Sequence, residues 1–160
     1  MYLAVQMRGV EIMYDRILTP TDGSEPAEAA AEDAIELARE FGASLHVVHV
    51  VEPIPLGGLS AGGEPASAEH SEVVEEQRAE GERTLERIRN LAAEAGVDVM
   101  TAIVYGKPST EILEYVDDEN IEVVVMGTRG RSGAERFVLG SVAERVVRRS
   151  PVPVITVRSA

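Results

Sequence analysis

The alternation of short β-branched runs with longer helical stretches constrains this chain more than any other feature. Residues 16–19, 45–51, 97–104, 122–126 and 152–157 read as strands. The run 45–51 (Leu-His-Val-Val-His-Val-Val) is nearly continuous and apolar, as expected for a strand covered on both faces. Between the strands the apolar period becomes helical. Ala27, Ala30, Ala31, Ala34, Ala38 and Phe41 share one face, with Ser24 as N-cap, Pro26 in the first turn and Gly42 as stop. Residues 74–95 place Gly81, Leu85, Ile88, Ala92 and Ala95 on another face, closed by Gly96. A short helix with Ile112, Leu113 and Val116 inward follows Pro108, and a last one covers 141–149. Such an order predicts an α/β fold: an open five-stranded parallel sheet with helices on both faces, a Rossmann-type three-layer sandwich.

The length of 160 residues suits one domain. We assign it to residues 14–160, with 1–13 as a frayed extension too short and polar for a secretory signal, in which Met7 and Met13 are alternative starts. Residues 53–71 hold three Pro and four Gly without periodicity and read as a long mobile loop. With no cysteine, disulfides, thiol nucleophiles and Cys-based zinc sites are excluded. No apolar run approaches the roughly 18 residues of a membrane span, so the cytoplasm is the expected compartment. The net charge is −13, and Lys107 is the single lysine beside 14 Arg. That balance opposes binding to nucleic acid, and no aromatic platform accompanies Arg145, Arg148 and Arg149, which suit a solvated helix C-terminus.

In a doubly wound sheet, ligands bind beyond the carboxyl ends of the strands, where strand order reverses. Three segments there carry suitable chemistry: Pro20-Thr21-Asp22-Gly23, Val50-Val51-Glu52, and the stretch from Gly127 to Ser141. The last is the most informative. Glycines at 127, 130, 133 and 140 let backbone N–H groups approach an anion, and Ser141 and Val142 open a helix whose free amides favour phosphate. Thr128, Ser132 and Ser141 add hydroxyls, and Arg129 and Arg131 add charge. Residues 129–158 carry seven Arg against two Glu, a net of +5, whereas residues 1–128 carry −18. A cationic patch on an acidic protein suits a small anionic ligand. The plainer reading is that Gly127 and Gly140 only end a strand and start a helix.

The spacing Gly127-x2-Gly130-x9-Gly140-Ser141 resembles the ATP-binding motif of the universal stress protein family. The resemblance runs from about Tyr14 to Arg158, through the Pro20-Thr21-Asp22-Gly23-Ser24 turn, the His-Val-Val ending of the second strand and the approach Val124-Val125-Met126-Gly127-Thr128-Arg129. It implies an adenine nucleotide alpha hydrolase-like fold that binds ATP. Asp22 would lie near the ribose and the metal–phosphate region, and would meet magnesium through the nucleotide. Pro20 and Thr21 would line the adenine pocket, and the Val50 backbone would read the adenine edge. Met126 and Gly127 would contact adenine and ribose, while Gly130, Gly140, Ser141 and Val142 would hold the phosphates. The resemblance also implies a homodimer, with the last strand pairing across a two-fold axis, which covers an apolar edge.

Other signals have plain explanations. Residues 58–62 match G-x-S-x-G but lack the strand and helix a nucleophile elbow needs. His46, His49 and His70 are not spaced as a metal site; His46 and His49, three apart on a strand, point to opposite faces. Asp22 also suits an Asp-Gly turn. Glu72, Glu75, Glu76 and Glu80 read as a solvated helix face, and Lys107 as a loop residue, either at the surface or reaching a phosphate. The expected function is that of an ATP-binding regulatory or stress-response protein. The alternatives are a slow ATPase or self-phosphorylating protein, for which positioning and charge alone would suffice, and a structural dimer without nucleotide.

Overall fold

A computed structural model of the chain describes residues 5–7, 10–53, 68–129 and 139–159. Two short strands, β1 (Val5–Met7) and β2 (Val10–Ile12), pair antiparallel apart from the main sheet. No periodicity announces this pair, because two three-residue strands carry too few side chains to display one. The rest alternates: β3 (Arg16–Pro20), α1 (Glu25–Phe41), β4 (Ser44–Val51), α2 (Ala68–Glu94), β5 (Val99–Tyr105), α3 (Pro108–Asp118), β6 (Val123–Gly127), α4 (Ser141–Arg149) and β7 (Val154–Val157). The five strands β3 to β7 form an all-parallel sheet in the order β5-β4-β3-β6-β7. The chain winds outward from β3 in one direction, then restarts at β6 and winds in the other, so the switch point lies between β3 and β6.

Successive residues of the central strands feed two separate cores, as two-residue periodicity requires. Ile17, Leu45, Val47, Val123 and Val125 pack under α1 and α2, against Ala30, Ala34, Ala38, Leu85 and Ile88. Leu18, Val48, Val124 and Met126 pack under α3 and α4, against Ile112, Val116, Ala143 and Val146. The alanine stripe of α1 leaves little side chain between helix and sheet. Burial of such side chains contributes about 1.5–3 kcal/mol for each large aliphatic residue.

Several boundaries differ from the sequence reading. Helix α2 begins at Ala68, inside the span assigned to the 53–71 loop. The last proline of that span is Pro65, and no Pro or Gly interrupts the chain from Ala68 until Gly81. The remainder of that loop, beyond Pro53, lies outside the described residues. Val97, expected in the third strand of the main sheet, belongs to the exit of α2, where its N–H donates to the Ala92 carbonyl at 2.9 Å. At the last strand, Val152 donates its N–H to Ser150 Oγ at 3.1 Å, and the ladder starts only at Val154.

Candidate functional site

The β3–β6 ladder pairs only Ile17 with Val123 and Leu18 with Val124. Beyond those pairs the two strands part, and a cleft of about 930 Å³ opens across the carboxyl ends of β3 to β6. That volume lies within the range of about 300–1,000 Å³ usual for small-ligand sites.

At the end of β3 the chain turns through Thr21 to Ser24. Thr21 Oγ1 accepts from the Gly23 N–H at 3.1 Å, and Asp22 Oδ1 accepts from the Ser24 N–H at 2.9 Å. Ser24 then caps α1, its Oγ accepting from the Ala27 N–H at 3.4 Å. Asp22 therefore shapes the turn and lines the cleft at once. At the end of β4, the β3–β4 register stops at Pro20 and Val48. Thr21 donates its N–H to the Val48 carbonyl at 2.8 Å. Val50, two residues on, directs its peptide groups to the same side as Val48, where β3 has already turned away.

At the end of β6, Met126 and Gly127 enter the cleft wall. A Cβ on Gly127 would lie 2.8–2.9 Å from the backbone of Pro26 and Ala27, so glycine is required there by the close approach of α1. Helix α4 enters from the far side with Gly140 as its N-cap, a residue with no side chain to turn back onto the first-turn amides. The contrast with α1 is direct: Ser24 accepts from a first-turn amide of its helix, whereas Gly140 has no side chain to offer those of α4.

Of the residues singled out in the sequence, Pro20, Thr21, Asp22, Val50, Met126, Gly127, Arg129, Gly140, Ser141 and Val142 all line this one cleft. Thr128 stands outside the lining; its N–H donates to the Val157 carbonyl at 2.9 Å, and its carbonyl accepts from the Gly140 N–H at 2.7 Å. Gly130 lies outside the described residues, as do Arg131, Ser132 and Gly133. The cleft also gathers Glu52, from the second of the strand-end segments, together with His49, Gln77, Glu80 and Lys107; His49 was expected as packing and Glu80 as part of a solvated helix face. Helix α2 brings Gln77 and Glu80, and no local pattern announces that a helix face will overhang a strand end. Among the described residues no group of three or more His, Asp or Glu gathers as a metal cage.

The two strand histidines do face opposite layers. His46 lies on the α3 side, within 2.9 Å of the Tyr115 hydroxyl, and is 1% exposed. Burial holds its pKa below the ordinary imidazole value; Glu119 opposes that shift and Arg16 adds to it. Burial likewise raises the Tyr115 phenol, with Glu119 adding to the effect. His49 lies on the α2 side, its Nδ1 3.0 Å from the Thr21 carbonyl.

A parallel doubly wound sheet, with a cleft at its switch point and a glycine-capped helix opening into it, defines a Rossmann-type α/β protein. The family model of the universal stress protein family matches residues 13–158, and the chain belongs to that family. Universal stress protein MJ0531 of Methanocaldococcus jannaschii is 38% identical over 95% of this chain and 86% of its own length. Among solved structures, universal stress protein UspA from Lactobacillus plantarum superposes with a TM-score of 0.80 at 25% identity, covering 92% of this chain and all of its own. A universal stress protein from Archaeoglobus fulgidus, solved in complex with dAMP, superposes with a TM-score of 0.63 at 25% identity, covering 91% of this chain and 99% of its own. No helix among the described residues is long and apolar enough to cross a membrane.

Proposed function

We propose that this protein binds an adenine nucleotide, ATP with magnesium, at the carboxyl ends of β4, β3 and β6, and that occupancy of this site serves a regulatory role in the stress response of the cytoplasm. One observation carries the reading: the glycine-capped start of α4 opens into the same cleft as Asp22 and the Val50 backbone. Amides of Ser141 and Val142 suit phosphate oxygens, with Gly130 and Arg129 completing the anion end. Pro20, Thr21, Met126 and Gly127 enclose the base and ribose. Thr128 supports the site from behind through its bonds to Val157 and Gly140. Asp22 is a carboxylate of the cleft lining. Among the described residues no three-residue cage accompanies it, and magnesium would be carried mainly by the nucleotide's own phosphates. The Archaeoglobus fulgidus relative that carries dAMP supports an adenine ligand on this fold. The edge position of β7 supports a homodimer formed by pairing Val154–Val157 with a second copy, where Ile155 is 40% exposed.

Calorimetric titration of the folded protein with ATP, with and without magnesium and against GTP as comparator, tests the reading. Saturable heat with ATP, and weaker heat with GTP, is expected. Absence of heat at millimolar ATP would refute it.

A further inference from the structure

We infer that His49 is a positioning residue, whose imidazole takes the Thr21 carbonyl out of the β3–β4 ladder and so leaves the Val50 N–H turned into the cleft for a ligand. In a parallel ladder each step repeats the last. Here Thr21 gives its N–H to the Val48 carbonyl at 2.8 Å, and the next step would send the Val50 N–H to the Thr21 carbonyl. Instead, that carbonyl faces His49 Nδ1 at 3.0 Å. A carbonyl only accepts, so Nδ1 carries the proton. His49 is 8% exposed, which shields this bond from competing water.

The seat of the ring is made by α2. A Cβ on Gly81 would lie 2.8 Å from His49 Cγ and Nε2, and closer still to Cδ2. Glycine inside a helix costs stability, so its presence at this position answers a steric demand. Two residues distant in sequence thus cooperate: Gly81 clears the space, and His49 uses it to stop the ladder one step early. The same bond steadies the peptide that precedes Asp22, so the base end and the Asp22 turn are held by one side chain.

Three variants decide the matter: His49→Leu, which fills space without a donor; His49→Asn, whose amide can donate from near the Nδ1 position; and Gly81→Ala, which displaces the ring while favouring the helix. Amide hydrogen exchange in the nucleotide-free protein is the first readout. In His49→Leu and Gly81→Ala the Val50 amide is expected to exchange at least tenfold more slowly than in the parent, because it joins the ladder; in His49→Asn it is expected to keep the parent rate. Simple destabilisation moves exchange in the opposite direction, so unchanged or faster exchange at Val50 in His49→Leu would overturn the inference. ATP affinity is the second readout, expected to fall at least fivefold in His49→Leu and Gly81→Ala and to be restored in His49→Asn. This second arm rests on the adenine-nucleotide reading. A parent protein that ignores ATP would sink that reading, while the exchange rates would still judge His49.

Discussion

The two ends of the parallel sheet treat their backbone groups in opposite ways. At the amino end the chain satisfies itself. Glu122 Oε1 accepts from the Asp15 and Arg16 N–H groups at 2.8 and 3.0 Å, and Arg16 Nε donates to the Asn120 carbonyl at 2.9 Å. Ser44 and Leu45 donate to the Asp15 and Asp98 carbonyls at 2.9 and 2.8 Å. At the carboxyl end the ladders stop short, a helix starts on a bare glycine, and a cleft of about 930 Å³ separates the strand ends. Both ends are made by the same strands and helices, so the difference lies in where side chains are supplied. One end is furnished for stability; at the other, the proposed ligand would meet the backbone groups that the chain leaves open.

The sharpest way to break this contrast is to fill the open end. Gly140→Asp places a carboxylate at the N-cap of α4, a position that favours the helix. Like charges forced together cost several kcal/mol, so ATP affinity is expected to fall by at least about a hundredfold. The thermal midpoint is expected to hold or rise. Calorimetry and a melting curve on one sample read both; parallel loss of stability and binding would show that the bare cap is a folding feature.

The reciprocal change opens the closed end. Glu122→Ala removes the acceptor of two backbone N–H groups and is expected to cost about 1–2 kcal/mol of stability, measured by urea unfolding. ATP affinity is expected to stay within about twofold, since the residue lies at the opposite end of the sheet and additivity holds for distant sites.

The smallest effect concerns the buried imidazole between the two ends. Burial lowers the His46 pKa from 6.5, so the unfolded chain binds the proton more readily than the folded one. Stability is therefore complete above that unfolded value and falls as pH drops toward the folded value. Urea unfolding between pH 5 and pH 8 should show this slope, and His46→Gln should flatten it. ATP binding should not follow the same slope, because His46 faces α3 and stands apart from the cleft lining.

The sequence disclosed the sheet because Val, Ile and Leu runs buried on both faces admit few other folds, and Ala-rich α1 could only lie flat on such a sheet. Ten of the twelve residues singled out as ligand-binding meet in one cleft for the same reason: strand ends converge once the topology is given. What stayed hidden depends on contacts between distant segments. His49 looked like core, and its bond to Thr21 becomes visible only when β4 lies beside β3. A signal did exist, in a helix glycine at 81 that no turn or cap explains. Gly127, expected to bare its backbone to a ligand at adenine and ribose, also admits the Pro26–Ala27 backbone. The early start of α2 and the β1–β2 pair escaped because loop-like composition and very short strands leave no periodic trace.

Thr128 gives the molecule a mechanical joint. Through one peptide unit on each side it grips the end of the edge strand at Val157 and the first residue of the α4 cap at Gly140. A shift of the sheet margin, such as the docking of another chain along β7 would impose, has through this residue a path of two hydrogen bonds to the mouth of α4.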